Sequence, residues 1–146
     1  MKKIIFLAMF CAGSAVLFAQ NHKQDNRKAP ESVRRSYQKD HPDFKDDNST
    51  WDMKNNQWHT RYMDKDHGNR PVDVYYDRTG RRLQSRGEWD RNDLPDPVKD
   101  RMKKRYHADN YNAYRIEKPG RGIFFQITWG TNKKVYVDEH GREVKY

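Results

Sequence analysis

Two short stretches of this chain, 61 positions apart, carry the same pattern. Val74-Tyr75-Tyr76-Asp77 and Val135-Tyr136-Val137-Asp138 each end in an Asp that is followed three residues later by glycine, at Gly80 and Gly141. Period-two alternation closed by Asp-x-x-Gly reads as a strand running into a tight turn. A helical spacing precedes each stretch. Val33 and Tyr37 lie four apart behind Pro30-Glu31, and Val98, Met102 and Tyr106 fall at i, i+4 and i+8 behind Asp96-Pro97, where Asp96 suits an N-cap and Pro97 a first helical residue. Val33 and Val98 open the two helices 65 positions apart. The order helix-then-meander therefore occurs twice, over residues 30–89 and 90–146. A unit of roughly 55–60 residues has too small a core to stand alone, so the two are expected to pack together on one continuous sheet or two abutting ones. The fold class is α+β, a tandem repeat of a helix plus an antiparallel β-meander with the helices on one face of the sheet.

The strands supply the rest. Trp58, Thr60 and Tyr62 alternate with His59, Arg61 and Met63, and Val72, Val74 and Tyr76 alternate with Asp73 and Tyr75. Leu83 sits in a last short strand of the first unit. In the second, Tyr114 and Ile116 precede a turn at 118–122, followed by Ile123, Phe125, Ile127 and Trp129, then Val135 and Val137.

The first 19 residues stand apart. Lys2 and Lys3, an apolar run from Ile4 to Phe18 and a small residue at Ala19 form a secretory signal peptide, with cleavage placed after Ala19. The apolar run is too short to span a bilayer comfortably, and no later stretch is apolar enough. Residues 20–29, polar and without period, read as a flexible arm. Cleavage leaves 127 residues with net charge +7 and removes Cys11, the single cysteine, which excludes disulfides, a Cys nucleophile and Cys-ligated metal. The expected location is periplasmic or secreted. Among those 127 residues Leu, Ile, Val and Phe number 15, a share usual for disordered chains. Sixteen aromatic residues weigh the other way, because each buries a large area and together they allow a thin aromatic core.

Chemistry is sparse. The six histidines sit mostly in turns and helix ends, and no pair has metal-ligand spacing. Asp64-Lys65-Asp66-His67-Gly68 lacks the glycine position and the final Glu of a calcium loop and reads as a hairpin turn. No nucleophile elbow, phosphate loop or paired-carboxylate spacing occurs. A secreted ribonuclease using His59 with a second His would be possible chemistry, but nothing pairs them. The expectation is a protein without catalytic residues, metal or cofactor. Arg34, Arg35 and Lys39 on the first helix, and Arg101, Lys103, Lys104 and Arg105 on the second, raise an alternative: binding of an anionic polymer such as nucleic acid, glycan or a lipid surface. The reading preferred from sequence is that they are the solvent faces of two amphipathic helices.

Strand parity points to a surface instead. If Val72, Val74, Tyr76, Ile123, Phe125, Ile127, Val135 and Val137 face the helices, the alternate residues face outward. The partner-binding candidates are therefore His59, Arg61, Tyr75, Arg82, Phe124, Gln126, Lys134 and Tyr136, with Asp73, Gln84 and Thr128 among them. Tyr, Phe, Arg and His are common interface residues.

The ordered series Pro30-x-x-Val33-x-x-x-Tyr37, Val72 to Gly80, Leu94-Pro95-x-x-Val98 and Val135 to Gly141 resembles the PepSY-like family of small exported bacterial proteins, related in fold to the tandem-repeat β-lactamase inhibitor protein. The resemblance covers about residues 30–146. It implies the αβ-repeat fold and a non-catalytic role in binding or restraining another protein, often a hydrolase. It also favours the open sheet face as the binding face, since the β-lactamase inhibitor uses its sheet that way.

Overall fold

The computed structural model describes residues 28–43 and 49–146. The expected signal peptide and nearly all of the arm lie outside the described residues. Helix α1 (Glu31–Asp40) is followed by strands β1 (Asp52–Lys54), β2 (Gln57–Asp64), β3 (Arg70–Tyr76) and β4 (Arg82–Trp89). Helix α2 (Asp96–Tyr106) leads into β5 (Asn112–Lys118), β6 (Gly122–Trp129) and β7 (Lys133–Asp138). The strands form one antiparallel sheet in sequence order, β1 to β7, so every strand pairs with its neighbour in the chain. Helix plus meander, twice, makes a single continuous sheet because β4 of the first repeat pairs with β5 of the second.

Both helices begin at proline. The Pro30 carbonyl accepts from Val33 N and Arg34 N, and the Pro95 carbonyl from Val98 N and Lys99 N. Pro95 is thus the N-cap of α2 in place of Asp96, which is the first helical residue and pairs with Lys99 at 2.8 Å. Its carboxylate complements the helix dipole without capping a backbone amide. At the other end of α2, His107 adopts the left-handed conformation and Ala108 N closes back on Met102 O.

Each helix buries one stripe against the sheet. Val33 and Tyr37 pack on Trp51, Trp58, Val74 and Tyr76; Val98 and Met102 pack on Leu94, Ala113, Phe125, Ile127 and Val137. Burial of each large side chain is worth about 1.5–3 kcal/mol, and the first core is built mainly from aromatic rings, as its composition demands. The two cores do not merge. Between them, on the same face, Arg82 reaches Asp40 at 3.7 Å and Glu117 at 3.0 Å, and Arg115 lies 3.3 Å from Glu117.

The repeated Asp-x-x-Gly turns are equivalent in detail. Asp77 Oδ1 accepts from Thr79 N and Arg81 N, and Asp138 Oδ1 from His140 N and Arg142 N. The following arginine, Arg81 or Arg142, donates its Nε to the same carboxylate. Hydrogen bonds from Thr79 and then from Arg81 outweigh desolvation and bring the Asp77 pKa down to about 2. Gly80 and Gly141 have positive φ, +93° and +73°, and press against the helix starts. A Cβ on Gly80 would sit 2.6 Å from Ser32 O, and one on Gly141 would collide with Pro97 O.

The sheet departs from simple parity at one place. Tyr75 pairs with Gln84 but Tyr76 pairs with Arg82, a bulge that leaves Leu83 extra. It turns Arg82 to the helix face. Sequence parity placed Arg82 outward, and the bulge corrects that. Strand β4 also runs for eight residues, where the sequence shows only Leu83 as a strand position.

Candidate functional site

With both helices on one side, the other side of the sheet is the candidate surface. Its first half is polar. On β2 and β3, His59 lies opposite Tyr75 and Arg61 opposite Asp73, so the four share this face. The His59 ring is held between two carboxylates, Nδ1 at 2.7 Å from Asp52 Oδ1 and Nε2 at 2.9 Å from Asp73 Oδ1. Each ring nitrogen therefore has a carboxylate oxygen within hydrogen-bond reach. Arg61 adds Nε to Asp73 Oδ1 at 2.8 Å and Nη2 to Oδ2 at 3.2 Å, and Lys54 lies 3.5 Å from Asp52. Burial alone would raise the Asp73 pKa; the hydrogen bonds from His59 and Arg61 outweigh it and hold the carboxyl well below the usual range. Tyr75 packs its ring 4.9 Å from that of His59. Its phenol is pushed up by burial and then by the Asp73 charge. The result ties β1, β2 and β3 together and leaves Arg61 and the Tyr75 edge toward solvent.

The second half is apolar and covered. Ile116 and Phe124 lie opposite each other on β5 and β6 and point to the open side, yet both are buried. What covers Phe124 is the segment after β7. Glu143 forms an isolated bridge with Val137, and Val144 N donates to Tyr136 O at 2.9 Å, so the segment runs along the β7 edge. The chain then crosses the face. Tyr146 stacks on Tyr136 at 4.5 Å and 10°, meets Phe124 edge-on at 5.7 Å, and donates its hydroxyl to Gln84 Oε1 at 2.7 Å. Between the halves, the Arg86 guanidinium sits 4.0 Å above the Tyr114 ring.

The sequence candidates thus divide. Arg61 is exposed on the open face, and Tyr75 beside it is half-buried. Gln126 and Tyr136 share the second half, joined by a hydrogen bond from the tyrosine hydroxyl at 3.3 Å. Lys134 lies over Tyr136 at 5.6 Å and is exposed. His59, expected as an outward contact, is on this face but only 6% exposed, consumed by its two carboxylates. Phe124, expected outward, is 4% exposed beneath Tyr146. Arg82 is on the opposite face. Arg86, Tyr114 and Tyr146 belong to the surface and were missed. Arg86 follows from the β3–β4 register and Tyr114 from the β4–β5 register, which no local pattern announces; Tyr146 depends on a segment with no strand signal at all.

A shallow depression of about 640 Å³ opens where β5 and β7 begin and β6 ends, lined in part by Asn110, Asn112, Thr128, Trp129 and Lys134. Among the described residues no group of three or more His, Asp or Glu side chains is placed to hold a metal ion. No described helix is long and apolar enough to cross a membrane.

A solved BLIP-like protein from Bacteroides fragilis superposes with a TM-score of 0.69 over 82% of this chain and 85% of that chain, at 19% identity. The fold is that of BLIP-like proteins. A Bacteroides eggerthii protein described as periplasmic aligns at TM-score 0.68 and 12% identity, over 82% of this chain and 88% of that one. A DUF2874 family protein from Bacteroides ovatus aligns at 0.69 and 13%, over 82% and 86%. Neither a family model nor a curated protein sequence matches the chain. At these identities the BLIP-like likeness is one of fold, and the PepSY-like resemblance rests on the motifs alone.

Proposed function

We propose that this chain is an exported, non-enzymatic binding module that acts in the periplasm or outside the cell. Its open sheet face docks on an envelope or secreted protein such as a hydrolase and restrains it by occlusion, with no cofactor. The observation that carries this reading is the one-sided placement of the helices, which leaves a seven-stranded sheet face presenting Arg61, Tyr75, Arg86 and Tyr114. Arginine and tyrosine on a rigid sheet supply contact area at little conformational cost. His59, the one histidine in a strand among the described residues, is locked between carboxylates and has no free nitrogen for acid–base work. The likeness to BLIP-like and periplasmic proteins supports the same reading.

The alternative, an anionic polymer held by basic helices, is less favoured because much of that charge is already paired. Arg101 and Arg105 reach Glu143 at 3.0 and 3.3 Å, Lys104 reaches Asp100 at 2.7 Å, and Arg35 pairs with Glu31. Affinity capture from envelope and secreted fractions tests the two readings. The bait is the mature protein, run beside a Tyr75→Ala/Tyr136→Ala variant at low and moderate salt. A protein captured by the unsubstituted bait and lost with the variant supports the face. Capture of nucleic acid or glycan that vanishes with salt, and is indifferent to the variant, overturns it.

A further inference from the structure

We propose that the second half of the open face is a tyrosine-binding site, filled in cis by Tyr146, and that a protein partner docks by placing its own tyrosine there, carried on an extended segment. The proposal rests on the open face being the docking surface and names the chemistry that face selects.

The resident side chain reports what the site recognises. Three groups converge on the Tyr146 ring: the face of Tyr136, the edge of Phe124, and the Lys118 ammonium 3.8 Å from the ring centroid. Stacking and cation–π attraction favour any aromatic ring. The Gln84 oxygen, 2.7 Å from the Tyr146 hydroxyl, adds a hydrogen bond that phenylalanine cannot make. Four strands contribute, Gln84 from β4, Lys118 from β5, Phe124 from β6 and Tyr136 from β7, so the continuous sheet assembles the site.

The approach of the resident defines the form of a replacement. Residues 143–144 pair with the β7 edge before Tyr146 swings over the face, and Arg121 Nη2 donates to the Lys145 carbonyl at 2.8 Å. An incoming strand with tyrosine two residues beyond its last edge hydrogen bond repeats this path. The floor favours an occupant, because Phe124 is only 4% exposed beneath Tyr146 and an empty site would uncover its ring. Glu143 is tied to α2 by Arg101, Arg105 and Tyr106, but beyond it the hold is light, since Tyr146 remains 50% exposed and residues 144–146 have few backbone bonds to β7. A tethered occupant at high effective concentration competes with free ligand without blocking it outright.

The test is an NMR titration with a synthetic peptide, Arg-Glu-Val-Lys-Tyr, against the full mature protein and its Tyr146→Ala variant. The peptide should bind the variant at least tenfold more tightly than the unsubstituted protein, shifting the Gln84 side-chain amide and the Phe124 and Tyr136 rings. A peptide with Phe in place of Tyr should bind more weakly, and one with Ala should not shift those resonances. Lys118→Ala added to Tyr146→Ala should weaken the Tyr peptide again, which separates site recognition from any change in folding. Equal behaviour of the Tyr and Ala peptides, or shifts confined to other surfaces, would overturn the proposal. A negative titration with partner capture still lost on Tyr75→Ala removes the tyrosine site and spares the face. A positive titration with no captured protein removes the partner reading and spares the site.

Discussion

The two repeats share a backbone plan but solve the same local problems with different residues. At the end of each helix one side chain is tied to the residue two positions after the turn glycine. In the first repeat this is Asp40 with Arg82, and in the second Arg105 with Glu143, at the same offsets of 65 and 61 with the charges exchanged. A tyrosine hydroxyl joins each pair, Tyr76 donating to Asp40 and Tyr106 to Glu143. The core is aromatic in one repeat and largely aliphatic in the other. The open face is a polar network in one and a covered apolar floor in the other. The backbone requirement is therefore held constant while side-chain chemistry is free to vary wherever a pair is satisfied. The turn glycines have no such freedom.

Those glycines give the largest expected effect. Gly80→Ala and Gly141→Ala each force a Cβ into a helix-start carbonyl at positive φ, and each should cost about 3 kcal/mol. Urea unfolding of the two variants measures it. Similar losses support the equivalence of the turns; a loss at one position alone breaks it.

The next effect separates the two open faces. Asp73→Asn removes the carboxylate that both His59 and Arg61 use, leaving a buried imidazole with one charged partner, and should cost about 2 kcal/mol near neutral pH. The sign with pH is set by the depressed pKa of Asp73. Its contribution is present above the unfolded-state value of about 4 and is lost as pH falls toward the folded-state value. Stability measured from pH 5 downward should therefore fall more steeply in the unsubstituted protein than in Asp73→Asn. Parallel curves would show that the network adds nothing that depends on its charge.

Much of this architecture is legible in the sequence, and the exceptions have physical causes. Helix stripes such as Val33–Tyr37 and Val98–Met102, and alternations such as Val72–Tyr76, are local periodicities and can be read directly. Strand β4, Arg-Leu-Gln-Ser-Arg-Gly-Glu-Trp, hides because its inward positions Ser85 and Gly87 are small residues at the polar seam between the cores, so it has no apolar alternation. The outward face of Arg82 fails at a one-residue bulge, which inverts parity without any sequence mark. His59 and Phe124 were assigned to the right side of the sheet, but side does not determine exposure. That depends on Asp52, in the short strand β1 that no alternation announces, and on Tyr146 beyond β7.

A third experiment asks whether the exchanged charges are interchangeable. Arg82→Glu places a carboxylate beside Asp40 and Glu117 in a partly buried site and should cost about 1 kcal/mol. Adding Asp40→Arg rebuilds the arrangement of the second repeat within the first and should recover part of that loss. A double variant no more stable than Arg82→Glu would show that Glu117 and the Tyr76 hydroxyl, not the helix end, fix the charge at position 82.

The smallest effect on stability is expected at Arg61, and it sharpens the contrast between holding the fold and presenting a surface. Arg61→Ala removes the same ion pair with Asp73 that Asp73→Asn removes, but from its exposed side. The arginine side chain is 58% exposed, and Asp73 keeps His59 as a donor. No buried group is left without a partner, so the change should cost about 0.5 kcal/mol or less. If the open face is the docking surface, the same substitution should still weaken partner capture, because an arginine at a protein interface can matter far more to binding than to folding. Loss of capture at unchanged unfolding midpoint would assign Arg61 to the surface. Equal loss of both would return it to the network that ties the first three strands together.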